Sequence, residues 1–187
     1  LKKPSLSAAA ALLQSVPLHT HKESIMNSKP DKMPALFLGH GNPMNVLDRS
    51  NPFNQGFVRI AQTFATPKAV LMVSAHWYAA SLELTAAERP GLVYDFYGFP
   101  SELYQVDYPA QGSSALVARV RELLSDEDVR ENHERGFDHG MWTVMKHLYP
   151  DAGIPVVQLS IDSRLDARQH FELARKLRPL RDEGVLV

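Results

Sequence analysis

The sequence predicts an α/β protein: a single domain with a central, mostly parallel or mixed sheet flanked by helices. From Met33 onward, short apolar runs typical of strands alternate with longer segments whose apolar residues recur at helical spacing. Two of the runs, Ala69–Ala75 and Ile154–Ile161, are almost continuously apolar, which indicates strands covered on both faces. A chain of 187 residues is long enough for one such domain with an appended tail.

The first predicted strand, Ala35–Leu38, is a short apolar run that stops just before His40, which has a glycine on each side. A helix follows this strand. Asn51 is placed to cap the helix and Pro52 to open it, because asparagine is favoured at the N-cap and proline at the first helical position. Pro67 marks the end of this helical segment.

The middle of the chain contains two further strands and a second helix. The buried run Ala69–Ala75 is followed by a shorter, more exposed strand at Leu82–Ala86. An aromatic, proline-containing loop covers Tyr94–Pro109. Ser113 or Ser114 then caps the second helix, since a serine side chain accepts a hydrogen bond from an N–H group at the start of a helix.

The last third of the chain continues the alternation. Asp138 is placed to cap a helix, the next strand is Ile154–Ile161, and Asp166 begins a helix that Pro179 breaks or kinks. Gly184–Val187 is typical of the opening of another buried strand. Because the backbone of such a strand needs partners and a continuation, we expect that the C-terminal part of the domain is missing from this sequence.

Residues 1–32 differ in kind from the rest. A short apolar run, Ala8–Leu13, follows two lysines, but it lacks a clean cleavage site of the kind that ends a secretory signal. The sequence begins with Leu1, and Met26 stands shortly before the folded part. We therefore expect residues 1–32 to be a disordered or non-native leader and residues 33–187 to form the domain.

Composition and charge exclude several classes of partner. The formal charge of −1 lacks the basic excess that nucleic acids or anionic membranes require, and no apolar run approaches the ~20 residues of a membrane span. We expect a cytoplasmic protein. The absence of cysteine rules out disulfides and thiolate metal sites, so any metal must be held by nitrogen and oxygen ligands.

Two histidines follow two successive predicted strands. His40 comes just after the first strand, and His76 directly follows Ala69–Ala75. Ligand sites of open α/β sheets form outside the carboxyl ends of strands, so the two imidazoles are placed to converge on one metal such as zinc, iron or copper. Alternatively, His40 only bonds to backbone groups, and the position of both histidines near strand ends is due to chance. Two ligands are in any case fewer than the three that a catalytic metal centre needs.

A third histidine, His139, lies at the start of the helix that Asp138 caps. A helix N-terminus disfavours imidazolium, so His139 tends to stay neutral, which suits a general base and equally a metal ligand. The alternative is that it only helps to cap its helix. We expect the other histidines of the domain to be solvated or at the surface, namely His133, His147 and His170. The aromatic residues of the loop Tyr94–Pro109 either line an aromatic substrate pocket or cover the core.

Several motifs, taken together and in order, resemble those of the DODA-type extradiol ring-opening dioxygenases, in particular the bacterial 4,5-DOPA dioxygenase-like proteins. They are MPALFLGHGNPMNVL, SAHW, YDFYGFP, GFDHG and PVVQLSID. The resemblance extends from Met33 to Val187. It implies that residues 33–187 are an incomplete catalytic domain of this kind.

The same resemblance implies site residues and chemistry. His40 and His76 match the first two metal ligands, and His139 matches a catalytic acid/base histidine beside the substrate. A further ligand is expected beyond Val187. The expected metal is Fe(II), with Zn(II) possible in its place. The expected partners are a catechol-type, DOPA-like substrate and O2, which give a muconic semialdehyde.

Two other functions remain open at this point. One is a truncated, non-catalytic remnant with a partial metal site. The other is a zinc-dependent hydrolase on a related scaffold, which requires a carboxylate base near the metal. Metal-dependent uptake of oxygen in the presence of a catechol distinguishes the dioxygenase from both.

Overall fold

The computed structural model describes residues 32–187, so the predicted leader lies, except for Lys32, outside the described residues. The strands are β1 (Ala69–Ala79), β2 (Leu82–Thr85), β3 (Val129–Asn132), β4 (Val156–Asp162) and β5 (Val185–Leu186). The helices are α1 (Pro52–Ala61), α2 (Ser114–Leu123), α3 (His139–Leu148), α4 (Ala167–Lys176) and α5 (Pro179–Asp182), with short 3₁₀ helices at Pro43–Leu47 and Ser101–Gln105. Within the described range, none of the helices is long and apolar enough to cross a membrane.

The strands form one mixed sheet in the order β3-β2-β4-β1-β5. β1 runs parallel to both β4 and β5, with Val70 opposite Val156 on one side and Leu186 on the other. β2 is parallel to β3 and antiparallel to β4. This arrangement confirms the predicted α/β class with a mixed sheet.

Helices cover both faces of the sheet. Neighbouring residues of a strand point to opposite faces, and Val70 and Leu71 of β1 accordingly belong to two different hydrophobic clusters. The cluster of Val70 includes residues of α1 and α3, and the cluster of Leu71 includes residues of α2, α4 and α5. The domain therefore has three layers, with the sheet in the middle.

The predicted helix starts are confirmed by their caps. The side chain of Asn51 accepts a hydrogen bond from Phe53 N at the start of α1, and that of Asp138 accepts one from Met141 N at the start of α3. Of the two serines considered for α2, Ser113 is the cap. Asp166 forms a reciprocal capping box at the start of α4.

Two strand predictions need correction, and one strand of the structure was not predicted. Ala35–Leu38 is extended but is not a buried strand: among residues 32–187, Leu36 N to Val187 O, at 2.8 Å, is its only backbone hydrogen bond to the edge of the sheet, and the side chain of Phe37 is exposed. β2 is mostly buried, not exposed, because it lies between β3 and β4. β3 itself was not predicted, since its sequence Val-Arg-Glu-Asn contains one apolar residue.

Candidate metal centre

His76 is carried by an irregular part of β1. The pairing of β1 with β4 is regular up to Val73, then shifts, and resumes at Tyr78. Such irregularities bend a strand and change the direction of its side chains, and they are frequent next to functional sites. His76 therefore lies within the strand, in its irregular stretch, and not after the end of the strand as the sequence suggested.

His40 and His139 approach the same place from two other segments. His40 ends the extended segment, and after it Gly41 adopts a φ of 65°, a conformation that favours glycine. The side chain of Asn42 then caps the 3₁₀ helix. His139 is the first residue of α3. A turn, a bulged strand and a helix start thus each contribute one imidazole.

The three imidazoles converge. One ring nitrogen from each of His40, His76 and His139 lies within 4.8 Å of the other two. The Nε2 atoms of His40 and His76 are 2.9 Å apart, and the ring centroids of His76 and His139 are 4.0 Å apart. Clustered imidazoles without a thiolate are a donor set that fits zinc or non-haem iron. The structure therefore brings together all three histidines that the sequence singled out.

Burial and neighbouring charge favour the neutral form of His40. Burial lowers the pKa of His40 below its ordinary value of 6.5, and the nearby imidazoles of His139 and His76 lower it further. Within the described part of the chain, His40 Nδ1 is buried and has no hydrogen-bond partner. Because neutral imidazole is the form that binds metals, these surroundings suit a ligand.

His139 is paired with a carboxylate that the sequence analysis missed. Its Nδ1 lies 2.7 Å from Asp95 Oδ1, which also accepts a hydrogen bond from the backbone N of His139 at 3.2 Å. Burial alone raises the pKa of Asp95, but the hydrogen bonds and charge of His139 outweigh it and hold this pKa below its ordinary value. Asp95 is thus an ionised acceptor. Its place in the motif YDFYGFP was the available signal.

A buried polar network joins the elements that carry His76 and His139. The carboxylate of Asp138, fully buried, accepts hydrogen bonds from Ser74 Oγ at 2.8 Å and from Gln158 Nε2. Ser74 Oγ also accepts a hydrogen bond from the backbone N of His76 at 3.2 Å. Since Ser74 is in β1, Gln158 in β4 and Asp138 at the start of α3, the network fixes the two histidines relative to each other.

The aromatic loop contributes residues both to the core and to the surroundings of His139. The ring of Phe96 packs edge-on against the imidazole of His139, with the centroids 5.4 Å apart and the planes at 85°. Tyr108, in contrast, is buried in the core, and Tyr97 is 93% exposed. One aromatic residue of the loop therefore borders the site directly.

A groove of about 300 Å³ opens beside His40 and His76. Its lining is mainly apolar and includes Val70, Met72 and Met145. This volume lies at the lower end of the range of small-molecule sites, about 300–1,000 Å³. An apolar groove that ends at two imidazoles can hold the flat face of a small ring compound with its polar atoms toward the histidines.

One prediction about the remaining histidines is wrong. His147, expected at the surface, is buried on α3. Burial, together with the nearby positive charges of Arg49 and Lys146, lowers its pKa. His133 has an exposed side chain, as expected.

Comparison with known proteins identifies the family. Residues 34–187 match the family described as the catalytic LigB subunit of aromatic ring-opening dioxygenase. The chain belongs to this family. It is 50% identical over 167 residues to the 4,5-DOPA dioxygenase extradiol of Escherichia coli K12, covering 89% of this chain and 60% of that protein. The protein of the same name from Beta vulgaris is 38% identical, with 87% of this chain and 62% of the relative covered.

A solved structure supports the same relationship. The crystal structure of an uncharacterized protein from Escherichia coli K12 matches with a TM-score of 0.69 and 46% sequence identity, covering 83% of this chain and 58% of the other. The chain spans about 60% of the length of the curated relatives it matches. Membership of the LigB family confirms the resemblance drawn from the motifs. The separate roles of His40, His76 and His139 stay predictions.

Proposed function

We propose that this LigB-family protein is a non-haem extradiol dioxygenase that inserts O2 into a catechol-type, DOPA-like substrate and gives a muconic semialdehyde. The observation that carries the proposal is the convergence of His40, His76 and His139 within 4.8 Å beside an apolar groove. Curated relatives that bear the name 4,5-DOPA dioxygenase extradiol favour the same reaction and a DOPA-like substrate. We expect the protein to act in the cytoplasm.

In this proposal His40 and His76 hold the metal, which is Fe(II) for turnover, with Zn(II) as an alternative occupant. Bound iron would supply the Lewis acidity and the electron transfer that the reaction of a catechol with O2 requires. The neutral state of His40, favoured by its burial, keeps a ring nitrogen available for the metal. The groove holds the ring of the substrate.

His139 is the proposed acid/base. Its Nδ1 is occupied by Asp95, so Nε2 is the nitrogen that takes a proton from a catechol hydroxyl group. The same nitrogen later returns this proton to an oxygen of the opening ring. The side chain of His139 is only 7% exposed, so it is surrounded mainly by protein groups.

The test is metal-dependent oxygen uptake. Protein loaded anaerobically with Fe(II) is mixed with L-DOPA and O2, and oxygen consumption is followed together with the absorbance of the semialdehyde. We expect His40→Ala to lower both the metal content and the rate by more than about 100-fold, since it removes a direct ligand. The control is His133→Ala, because the side chain of His133 is 65% exposed and pairs with Glu131 outside the centre.

Three outcomes separate the candidate functions. Oxygen uptake that survives His40→Ala contradicts the metal assignment. Bound zinc with hydrolase activity but no oxygen uptake favours a hydrolase. The absence of both bound metal and activity favours a non-catalytic remnant.

His139→Gln should lower turnover and leave the metal content unchanged; if metal is lost instead, His139 is a third ligand.

A further inference from the structure

Asp95 makes two hydrogen bonds to His139. A single oxygen, Oδ1, accepts from the backbone N of His139 at 3.2 Å and contacts Nδ1 of its ring at 2.7 Å. The side chain of Asp95 is 23% exposed and that of His139 is 7% exposed. The contact is therefore largely shielded from water. A charge-assisted hydrogen bond is strong in such surroundings.

We infer that Asp95 is the positioning residue of this centre: it holds His139 in the tautomer that carries its proton on Nδ1 and so leaves Nε2 free. The reason is the chemistry of the pair. An ionised carboxylate only accepts hydrogen bonds, so the proton of the contact belongs to Nδ1. A neutral imidazole has one N–H group, so Nε2 keeps its lone pair for a proton or a metal.

Hydrogen bonds fix the loop that carries Asp95 to α3 and to the segment just before α3. The indole Nε1 of Trp142 donates to Val93 O at 3.2 Å, and Val93 N donates to Phe137 O at 2.7 Å. On the other side of the loop, the hydroxyl of Tyr94 donates to Val106 O at 2.7 Å. Because the residues just before Asp95 are held by three hydrogen bonds, its carboxylate has a defined place.

The imidazole of His139 is restrained as well. The ring of Phe96 packs against it edge-on, and the backbone of His139 is fixed in the first turn of α3. Rotation of the ring by half a turn would remove Nδ1 from Asp95 and bring a carbon atom to the carboxylate. Asp95 thus determines both the tautomer and the orientation of the ring.

The competing interpretation is that Asp95 only caps α3, since a carboxylate near a helix N-terminus is stabilising by itself. A cap changes the stability of the helix but not the tautomer of one imidazole. Asp166 provides a matched control, because its carboxylate also caps a helix, α4, where it accepts a hydrogen bond from Gln169 N.

The decisive measurement is the tautomer of His139 in the metal-free protein, read from two-bond 15N–1H NMR correlations and assigned with the His139→Gln variant. We expect the wild-type ring to be protonated on Nδ1. In Asp95→Ala the proton should move partly or wholly to Nε2, and in Asp166→Ala it should stay on Nδ1. A wild-type ring protonated on Nε2, or an unchanged tautomer in Asp95→Ala, would overturn the inference.

If Asp95→Ala does not fold, Asp95→Asn serves in its place. It preserves the size of the side chain, but its amide can donate to Nδ1 as well as accept from it. The Nδ1–H preference should then weaken in the same spectrum. A preference as strong as in the wild type would show that the carboxylate does not set the tautomer.

A kinetic experiment, which rests on the proposed function, tests whether Asp95 affects turnover through His139. In the Fe(II)-loaded protein, Asp95→Ala should lower kcat by about 10–100-fold, with KM and metal content nearly unchanged. In the His139→Gln background it should cause no further loss, because Asp95 acts through His139. A further loss in that background, or an effect on KM alone, would contradict the role. If the wild type takes up no oxygen, the proposed function fails, and the NMR result still decides the tautomer.

Discussion

Among single residues, Gly140 shows most directly how tightly the centre is packed. It is the second residue of α3 and faces β1. A Cβ atom at this position would lie 2.6 Å from Ser74 Oγ and 2.7 Å from His76 Cδ2, distances that real Cβ atoms do not tolerate. The glycine that ends the motif GFDHG therefore permits α3 to approach β1 closely enough for His76 and His139 to meet.

Gly140→Ala should displace His76 and loosen the metal centre. We expect the affinity for Zn(II) to fall by at least about 10-fold and the free energy of unfolding to fall by about 1–3 kcal/mol, the usual cost of overpacking. Competition with a chromophoric chelator and urea denaturation measure the two effects. Gly153→Ala is the control, since a Cβ there meets no atom of residues 32–187 within 4 Å. Wild-type zinc affinity in Gly140→Ala would contradict this account.

Among the elements, α3 is held at both ends. Asp138 caps its start, and at its other end the hydroxyl of Tyr108 donates to the carbonyl oxygen of Tyr149 at 2.9 Å. Tyr108 is 1% exposed. Burial is the main cause that raises the pKa of Tyr108, and the neighbouring Tyr149 and Asp151 raise it further. The hydroxyl therefore remains a donor at all physiological pH values. A local cap at its start and a long-range hydrogen bond at its end thus fix the helix that presents His139.

Tyr108→Phe should destabilise the domain through the end of α3. Removal of the hydroxyl leaves the carbonyl oxygen of Tyr149 with Ala152 N, at 3.1 Å, as its remaining donor, so we expect a loss of about 0.5–1.5 kcal/mol, the net worth of one hydrogen bond. Urea denaturation followed by circular dichroism measures the change. Tyr97→Phe removes the same hydroxyl from a side chain that is 93% exposed, and should change the stability by less than about 0.5 kcal/mol. Equal midpoints for the two variants would show that the Tyr108 bond does not stabilise the fold.

For the whole domain, one buried and one half-buried histidine make the stability depend on pH. Burial is the main cause that lowers the pKa of both His40 and His147 below 6.5. Within residues 32–187, Nε2 of His147 has no hydrogen-bond partner, and Arg49 and Lys146 are the charged groups that act on it. When the pH falls below 6.5, the unfolded chain takes up protons on these residues before the folded protein does, so acid favours unfolding.

We expect the free energy of unfolding of the metal-free protein to decrease between pH 7.5 and pH 5.5. His147→Leu should make this decrease shallower, because it removes one group whose pKa is lower in the folded state than in the unfolded state. Urea midpoints across the pH range measure the slope. His133→Leu, at a side chain that is 65% exposed, should leave the slope as in the wild type. A slope unaffected by His147→Leu would mean that His147 does not titrate differently on folding.

Features that depend on residues close together in the chain are predictable from the sequence. The caps Asn51, Ser113 and Asp138 were predictable because capping needs a particular side chain within a few residues of the N–H group it binds. The central strands β1 and β4 are predictable because burial on both faces requires a continuous apolar run. The motifs around His40, His76 and His139 indicated the family and the three histidines that meet.

Features that depend on residues far apart in the chain become visible only in the folded domain. Asp95 and His139 are 44 residues apart, and no local pattern marks that pair. The irregular stretch of β1 that carries His76 depends on its register with β4, and the burial of His147 depends on the segments packed around α3. Such contacts arise only when distant segments share one core, because the periodicity and capping signals of a sequence extend over a few residues.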